Sequence, residues 1–387
     1  MPSPVRSYSK INLGLALGPP RLDGFHSLAT LYQTIALHDL VTVTARPAER
    51  TRIQLTASDP RVPRDARNTA WKMVSKVLDH LNLAATVNIR IQKNLPIQGG
   101  MGAGSANAAA ALIGLERELN LALPAETRLT LAAEVGSDVP LFLIGGSVLG
   151  HDRGQRVSSA PDITLAGETV IPCVIALPDT GVSTPQAFRD WDVLLAGQSN
   201  AKSTPDLHNP QKSSTLEQLS RAYASVFHRS VTSQEVEHSK SGASGIVPKP
   251  SSAKALPEQN SPEKQQGLAR EQHHTSFPSE NTSGFEIDLA ENSLLALVRT
   301  GIENDFETVV FPQYPLLREI KRHLMGTPLE NPALYAALSG SGSALFGLYR
   351  SHTDANAAQQ RLQQHGVKAI VTSTMPRPLY WSNMFAE

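Results

Sequence analysis

The sequence predicts an α+β protein of two domains, 1–165 and 166–387. Three observations carry that reading. At 387 residues the chain exceeds the roughly 250–300 that one hydrophobic core organises. Short alternating apolar runs interleave with amphipathic helical stretches, and the last hundred residues close as strand, helix, strand, which suits one layer of sheet and one of helices.

The elements follow in order. Val41–Val43 and Arg52–Leu55 alternate like edge strands. Asn68–Leu81 places Ala70, Met73, Val74, Val77, Leu78 and Leu81 on one helical face. Val87, Ile89 and Ile91 alternate as a half-buried strand. Asn107–Leu119 reads as an alanine-rich helix and Ala125–Val135 as another that stops at Gly136. Helices are expected near Asn292–Thr300, Asp305–Val310, Leu316–Met325 and Asp354–His365, with strands at Ala344–Tyr349 and Val367–Ser373. From about 198 to 284 the composition shifts to Ser, Pro, Gln, Lys and Glu. Ser239–Pro262 holds too little apolar surface to offset chain entropy, so the segment reads as a disordered surface insert with a helical island at Leu216–Phe227.

Hydrophobic residues make up 40% and charged residues 18%, the balance of a globular protein. Lys+Arg and Asp+Glu are equal at 35, so no global positive field exists to gather nucleic acid or anionic lipid, and anion binding must be local. A single cysteine, Cys173, excludes an intramolecular disulfide and a multi-cysteine metal site. The polar N-terminus has no signal-peptide core, and no run nears the ~18 apolar residues of a membrane span. A cytoplasmic address without a membrane or nucleic-acid partner is expected.

Leu95–Leu112 runs from a strand into a helix through Gly99, Gly100, Gly102 and Gly104. Such glycines allow positive φ and close backbone approach, so successive N–H groups can face one concavity. A helix starting near Ser105 would add its unpaired N–H groups and positive dipole end. The loop is no Walker A motif, since no Gly-Lys-Ser/Thr follows, and the dinucleotide spacing puts Ser105 or Asn107 where a third glycine belongs. A plain strand–helix turn is the competing reading. Four glycines within six residues favour a polyphosphate.

Lys10 stands alone in an apolar N-terminal strand, where a lysine ordinarily snorkels to the surface. Asp138 lies between a helix end and the apolar Val139–Leu143, where an aspartate ordinarily caps a turn. Phosphoryl transfer to an alcohol calls for such a pair: a carboxylate to accept the hydroxyl proton and a cation to steady developing charge. Ser339-Gly340-Ser341-Gly342-Ser343 is a second glycine turn, either a strand entry or a backbone wall closing on the phosphate loop or the substrate.

In this order the segments resemble the GHMP kinase superfamily. Ser9-Lys10-Ile11-Asn12-Leu13, followed by Arg21-Leu22-Asp23-Gly24-Phe25-His26, is similar to the branch acting on a cytidyl-methylerythritol, as are Gly136–Phe142 and Asn304–Glu307. The resemblance covers about 1–195 and 285–375. It implies an N-terminal ribosomal-protein-S5-like α/β domain and a ferredoxin-like C-terminal α/β sandwich. It further implies ATP as co-substrate, with Pro96, Ile97, Gln98, Gly99, Gly100, Met101, Gly102, Ala103, Gly104, Ser105 and Ala106 holding its phosphates. Asp138 would be the general base and Lys10 its partner. Asn12 and Asp23 would bind the substrate, with Phe25, His26 and Phe188 framing the cytosine. Mg2+ is implied by the reaction, with Ser105 a candidate ligand. Ser9, Phe25, Gln98, Met101, Ala103, Ala106 and Ser137 depart from the residues commonest in that branch. A homoserine- or mevalonate-type kinase is the alternative within enzymes, which the Asp23–His26 block disfavours. A non-catalytic sensor on the same fold is disfavoured by Lys10 and Asp138 together.

Overall fold

The computed structural model describes residues 2–97, 99–200 and 291–386. Gln98, the helical island at 216–227 and the segment 239–262 lie outside the described residues. The polar stretch read from 198 begins inside a helix that continues to Asn200.

The first layer is a six-stranded sheet. β1 (Val5–Pro20) pairs along its length with β2 (His26–Pro47). The far half of β2 pairs with β4 (Ala85–Gln92), and its near half with β5 (Ser147–His151). β3 (Arg52–Ala57) and β6 (Arg156–Ser159) form the edges. Val41–Val43 therefore lies inside a long central strand, not on an edge. Its alternation reflects a sheet with different neighbours on its two faces. β3 pairs parallel with β4, and α1 (Thr69–His80) is the crossover between them. Asn68 caps α1 by accepting the Ala70 N–H, so the helix starts where its apolar face does. α1, α2 (Ala103–Glu118) and α3 (Ala125–Val135) cover one face, with Met73, Leu78, Leu112 and Leu115 against Val43, Ile89 and Ile91.

The second sheet has the order β10-β7-β9-β8 and is antiparallel throughout. Its strands are β7 (Pro172–Leu177), β8 (Tyr335–Leu338), β9 (Leu345–Leu348) and β10 (Lys368–Ser373). Numbered within the sheet, that order is four-one-three-two, and with α4 (Thr184–Asn200) after β7 and α8 (His352–Gln364) before β10 it is the ferredoxin-like arrangement. α5 (Ser293–Arg299), α6 (Phe306–Gln313) and α7 (Pro315–Met325) fill the span before β8. Period-2 alternation splits β7 and β9. Ile175 and Phe346 join Ile11, Leu13 and Ile35 in a core between the sheets, while Val174 and Leu345 face the helices.

The chain leaves the first sheet after Ser159 and enters the second at Pro172. The chain end departs from that division: α9 (Arg377–Ser382) returns to the first layer, where Tyr380 packs on Tyr8 and donates to the Phe142 carbonyl at 2.6 Å. No helix among the described residues is long and apolar enough to cross a membrane.

Candidate active site

Lys10 and Asn12 are two residues apart on β1 and share a face, while Ile11 and Leu13 enter the core between the sheets. Lys10 is only 3% exposed, far from a snorkelling lysine. Its Nζ donates to Asn12 Oδ1 at 2.6 Å and lies 3.7 Å from Asp138 Oδ2. Burial lowers its pKa, and the Asp138 charge pulls it back up. Asn12 is fixed in turn, donating from Nδ2 to Thr30 Oγ1 at 2.8 Å. Opposite Asn12 on β2, Tyr32 donates its hydroxyl to Asp138 Oδ1 at 3.0 Å. Burial, together with the Asp138 charge, pushes the Tyr32 phenol well above its ordinary pKa, so it remains a donor. Asp138 sits in the turn after α3, with its side chain 32% exposed. These groups line a cavity of about 650 Å³ that also reaches Phe25, His26 and Phe188.

On the other side of the loop lies a cavity of about 380 Å³, lined by Pro96, Ile97 and every described loop residue from Gly99 to Ser105. Both cavities reach Gly100 and Gly102. These two glycines, and not Gly99 or Gly104, adopt positive φ, each at +70°. A Cβ on Gly100 would stand 2.1 Å from the Ser339 carbonyl oxygen. α2 begins at Ala103, two residues before the expected start, because left-handed Gly102 serves as its N-cap with no capping side chain. Its first N–H groups therefore lack a side-chain partner at the cavity. Ala106 does not line the cavity but packs in the core.

Asp39 anchors this loop, and no local signal marked it. Fully buried within β2, it accepts from the Asn94 and Leu95 N–H groups at 2.7 Å each, from Lys93 Nζ at 2.6 Å and from Asn107 Nδ2 at 3.1 Å. One carboxylate thus ties both ends of the loop. The second glycine turn closes over its middle. Ser339 Oγ donates to the Gly100 carbonyl at 3.2 Å, and Asn304 Nδ2 holds the turn through the Leu338 and Gly340 carbonyls at 2.8 Å. The turn both leads into β9 and lies against Gly100 of the loop, so it is a strand entry and a wall beside the loop at once.

At the far end of the larger cavity, His26 stacks on Phe188 with centroids 4.7 Å apart and planes 19° apart. Phe188 meets Phe306 edge-on at 5.0 Å. His26 and Phe188 therefore leave no slot between them, and a flat ligand would lie against the cavity side of this pair. Phe25 is 51% exposed, with the Arg153 guanidinium 4.6 Å from its ring centre. Asp23 does not line the cavity. It accepts the Phe25 N–H at 3.1 Å, pairs with Arg21 at 3.3 Å and shapes the turn that presents Phe25. Asp192, Arg153 and Tyr32 join the site without having been singled out. Asp192 stands one helical turn beyond Phe188, the spacing that could have suggested it. Among the described residues no group of three or more His, Cys, Asp or Glu is placed to hold a metal.

Residues 68–146 match the GHMP kinases N terminal domain, and residues 287–368 match the GHMP kinases C terminal. A protein of Rhodococcus jostii (strain RHA1) named 4-diphosphocytidyl-2-C-methyl-D-erythritol kinase is 39% identical over 196 residues, 50% of this chain and 61% of that protein. The chain thus spans less than two thirds of that relative's length. One of the same name from Arthrobacter sp. (strain FB24) is 32% identical over 236 residues, 58% of this chain and 72% of that protein. A crystal structure of 4-(cytidine 5'-diphospho)-2C-methyl-D-erythritol kinase superposes with a TM-score of 0.56 at 21% identity, covering 95% of this chain and 98% of its own, a likeness of fold. The chain belongs to the GHMP kinase family and, within it, to the group of 4-diphosphocytidyl-2-C-methyl-D-erythritol kinases.

Proposed function

We propose that this protein transfers the γ-phosphoryl group of ATP to the 2-hydroxyl of 4-diphosphocytidyl-2-C-methyl-D-erythritol, in non-mevalonate isoprenoid precursor synthesis. The observation that carries the reading is the meeting of two cavities at Gly100 and Gly102, with Asp138 and Lys10 facing the larger one. ATP phosphates sit on the loop and the N-terminus of α2, where backbone N–H groups and the helix dipole complement their charge. The alcohol enters from the larger cavity beside Asn12 and Asp138. As the oxygen–phosphorus bond forms, Asp138 accepts the hydroxyl proton and ADP departs with the electrons of the broken bond. Tyr32 and Lys10 fix the carboxylate's two oxygens, and Lys10 adds positive charge where the transferring group gains negative charge. Magnesium commonly keeps several waters and binds mainly to nucleotide phosphates, so one hydroxyl such as Ser105 beside the loop fits its needs. When bound, it would neutralise phosphate charge.

The aromatic end of the larger cavity supports a nucleotide-bearing alcohol over a bare one, because homoserine or mevalonate would leave Phe25, His26 and Phe188 without a ligand. The test is ADP release measured with the cytidyl-methylerythritol, homoserine and mevalonate in parallel. Turnover confined to the first is expected. Turnover of either other alcohol at an equal or greater rate refutes the assignment.

A further inference from the structure

The polarity of His26 toward the cavity depends on which ring nitrogen carries the proton. A neutral imidazole donates at one nitrogen and accepts at the other, and the bonded partner of one decides the role of both. His26 Nε2 lies 2.6 Å from Asp192 Oδ1. A carboxylate only accepts, so in the neutral ring Nε2 carries the one proton and Nδ1 is the acceptor, and Nδ1 makes no hydrogen bond among the described residues. Phe188 and Asp192 are four residues apart on α4 and therefore share a face. The first fixes the plane of the imidazole by stacking, and the second fixes its rotation and tautomer.

We infer that Asp192 is a positioning residue that sets the choice of pyrimidine, by keeping the free nitrogen of His26 an acceptor. An amino group at the base's 4-position donates to such a nitrogen, as in cytosine. A carbonyl oxygen there, as in uracil, meets it lone pair to lone pair. The inference rests on the proposed reading that a pyrimidine occupies this end of the cavity. A site built to receive a donor rejects the analogue that lacks one by far more than an apolar pocket could, because a buried acceptor is left unpaired.

The test compares the wild-type enzyme with Asp192→Ala, Asp192→Asn and Asp192→Glu. The kcat/KM is measured for the cytidyl substrate and its uridyl counterpart, and the imidazole nitrogens are followed by 15N NMR. The Asp192 side chain is 39% exposed, so its replacement leaves the core intact. Wild type is expected to prefer the cytidyl substrate by about 100-fold or more, with His26 in the Nε2–H form. Asp192→Ala should cut that preference at least ~10-fold, mix the tautomers and leave the KM for ATP unchanged, while Asp192→Glu restores part of both. Retention of the full preference and of the Nε2–H tautomer in Asp192→Ala overturns the inference, as does an equal loss on both substrates. A wild-type enzyme that turns over neither nucleotide alcohol refutes the substrate reading instead, and the NMR spectra then still report whether Asp192 sets the tautomer.

Discussion

Replacing Asp39 by asparagine keeps the shape of the side chain and removes its charge. The amide oxygen can still accept the Asn94 and Leu95 N–H groups, which both bond Oδ1. The amide nitrogen then faces Lys93 Nζ and Asn107 Nδ2, both donors, in the place where Oδ2 accepted from them. Lys93 is 7% exposed and has no other acid within ion-pair distance among the described residues. Removing one partner of a buried ion pair costs about 3–5 kcal/mol, because the remaining charge stays desolvated. That is a large share of the 5–15 kcal/mol by which domains are typically stable. Urea denaturation should show the midpoint falling by about 1 M or more. The KM for ATP should rise if the loop holds its phosphates as proposed, since both ends of the loop depend on this carboxylate. Adding Lys93→Met removes the stranded charge, and the double-mutant cycle should give a coupling of about 2 kcal/mol or more. A single-variant loss below about 1 kcal/mol, or additive effects in the cycle, would refute the anchoring role.

Asp138→Asn should lower kcat by about 10²–10⁴ while ATP binding, followed by calorimetry, stays close to wild type; normal turnover would remove Asp138 as the base. Gly100→Ala places a Cβ 2.1 Å from the Ser339 carbonyl at φ +70°, so nucleotide affinity should collapse, whereas Gly24→Ala, at φ +79° with nothing within 4 Å, should cost only the ~1–2 kcal/mol of left-handed strain. Burial holds the Lys10 pKa below the ordinary 10.5. The charged form is thus disfavoured by folding, a penalty that is complete below the folded pKa and relieved as pH rises through it. For activity the sign is reversed: kcat/KM should fall on an alkaline limb below 10.5, and Lys10→Arg should move that limb upward in a pH–rate profile; a limb that ignores the substitution belongs to another group. Ser9 Oγ is buried without a hydrogen-bond partner, so Ser9→Ala should raise stability by about 1 kcal/mol in thermal unfolding; a loss would reveal a partner.

What the sequence determined by itself was short-range. The apolar stripe after Asn68 located α1, Gly136 closed α3, and the four-glycine run marked a loop whose backbone could face an anion, because periodicity, helix stops and positive φ are decided within a few residues. Strands β5 and β8, buried on both faces, carry no alternation, and so left no mark. Lys10 and Asp138 were legible as residue types out of place, one in an apolar strand and one beside an apolar segment. Their meeting was not. Tyr32 and Asp138 are 106 residues apart, and Ser339 and Gly100 are 239 apart. Asp39, Tyr32 and Asp192 look like ordinary strand and helix residues until the two sheets pack. Tertiary structure decided the site because its chemistry depends on a burial and a mutual orientation that no single segment possesses: a lysine becomes a desolvated cation, and a histidine a fixed acceptor, only once another part of the chain excludes water and supplies the partner.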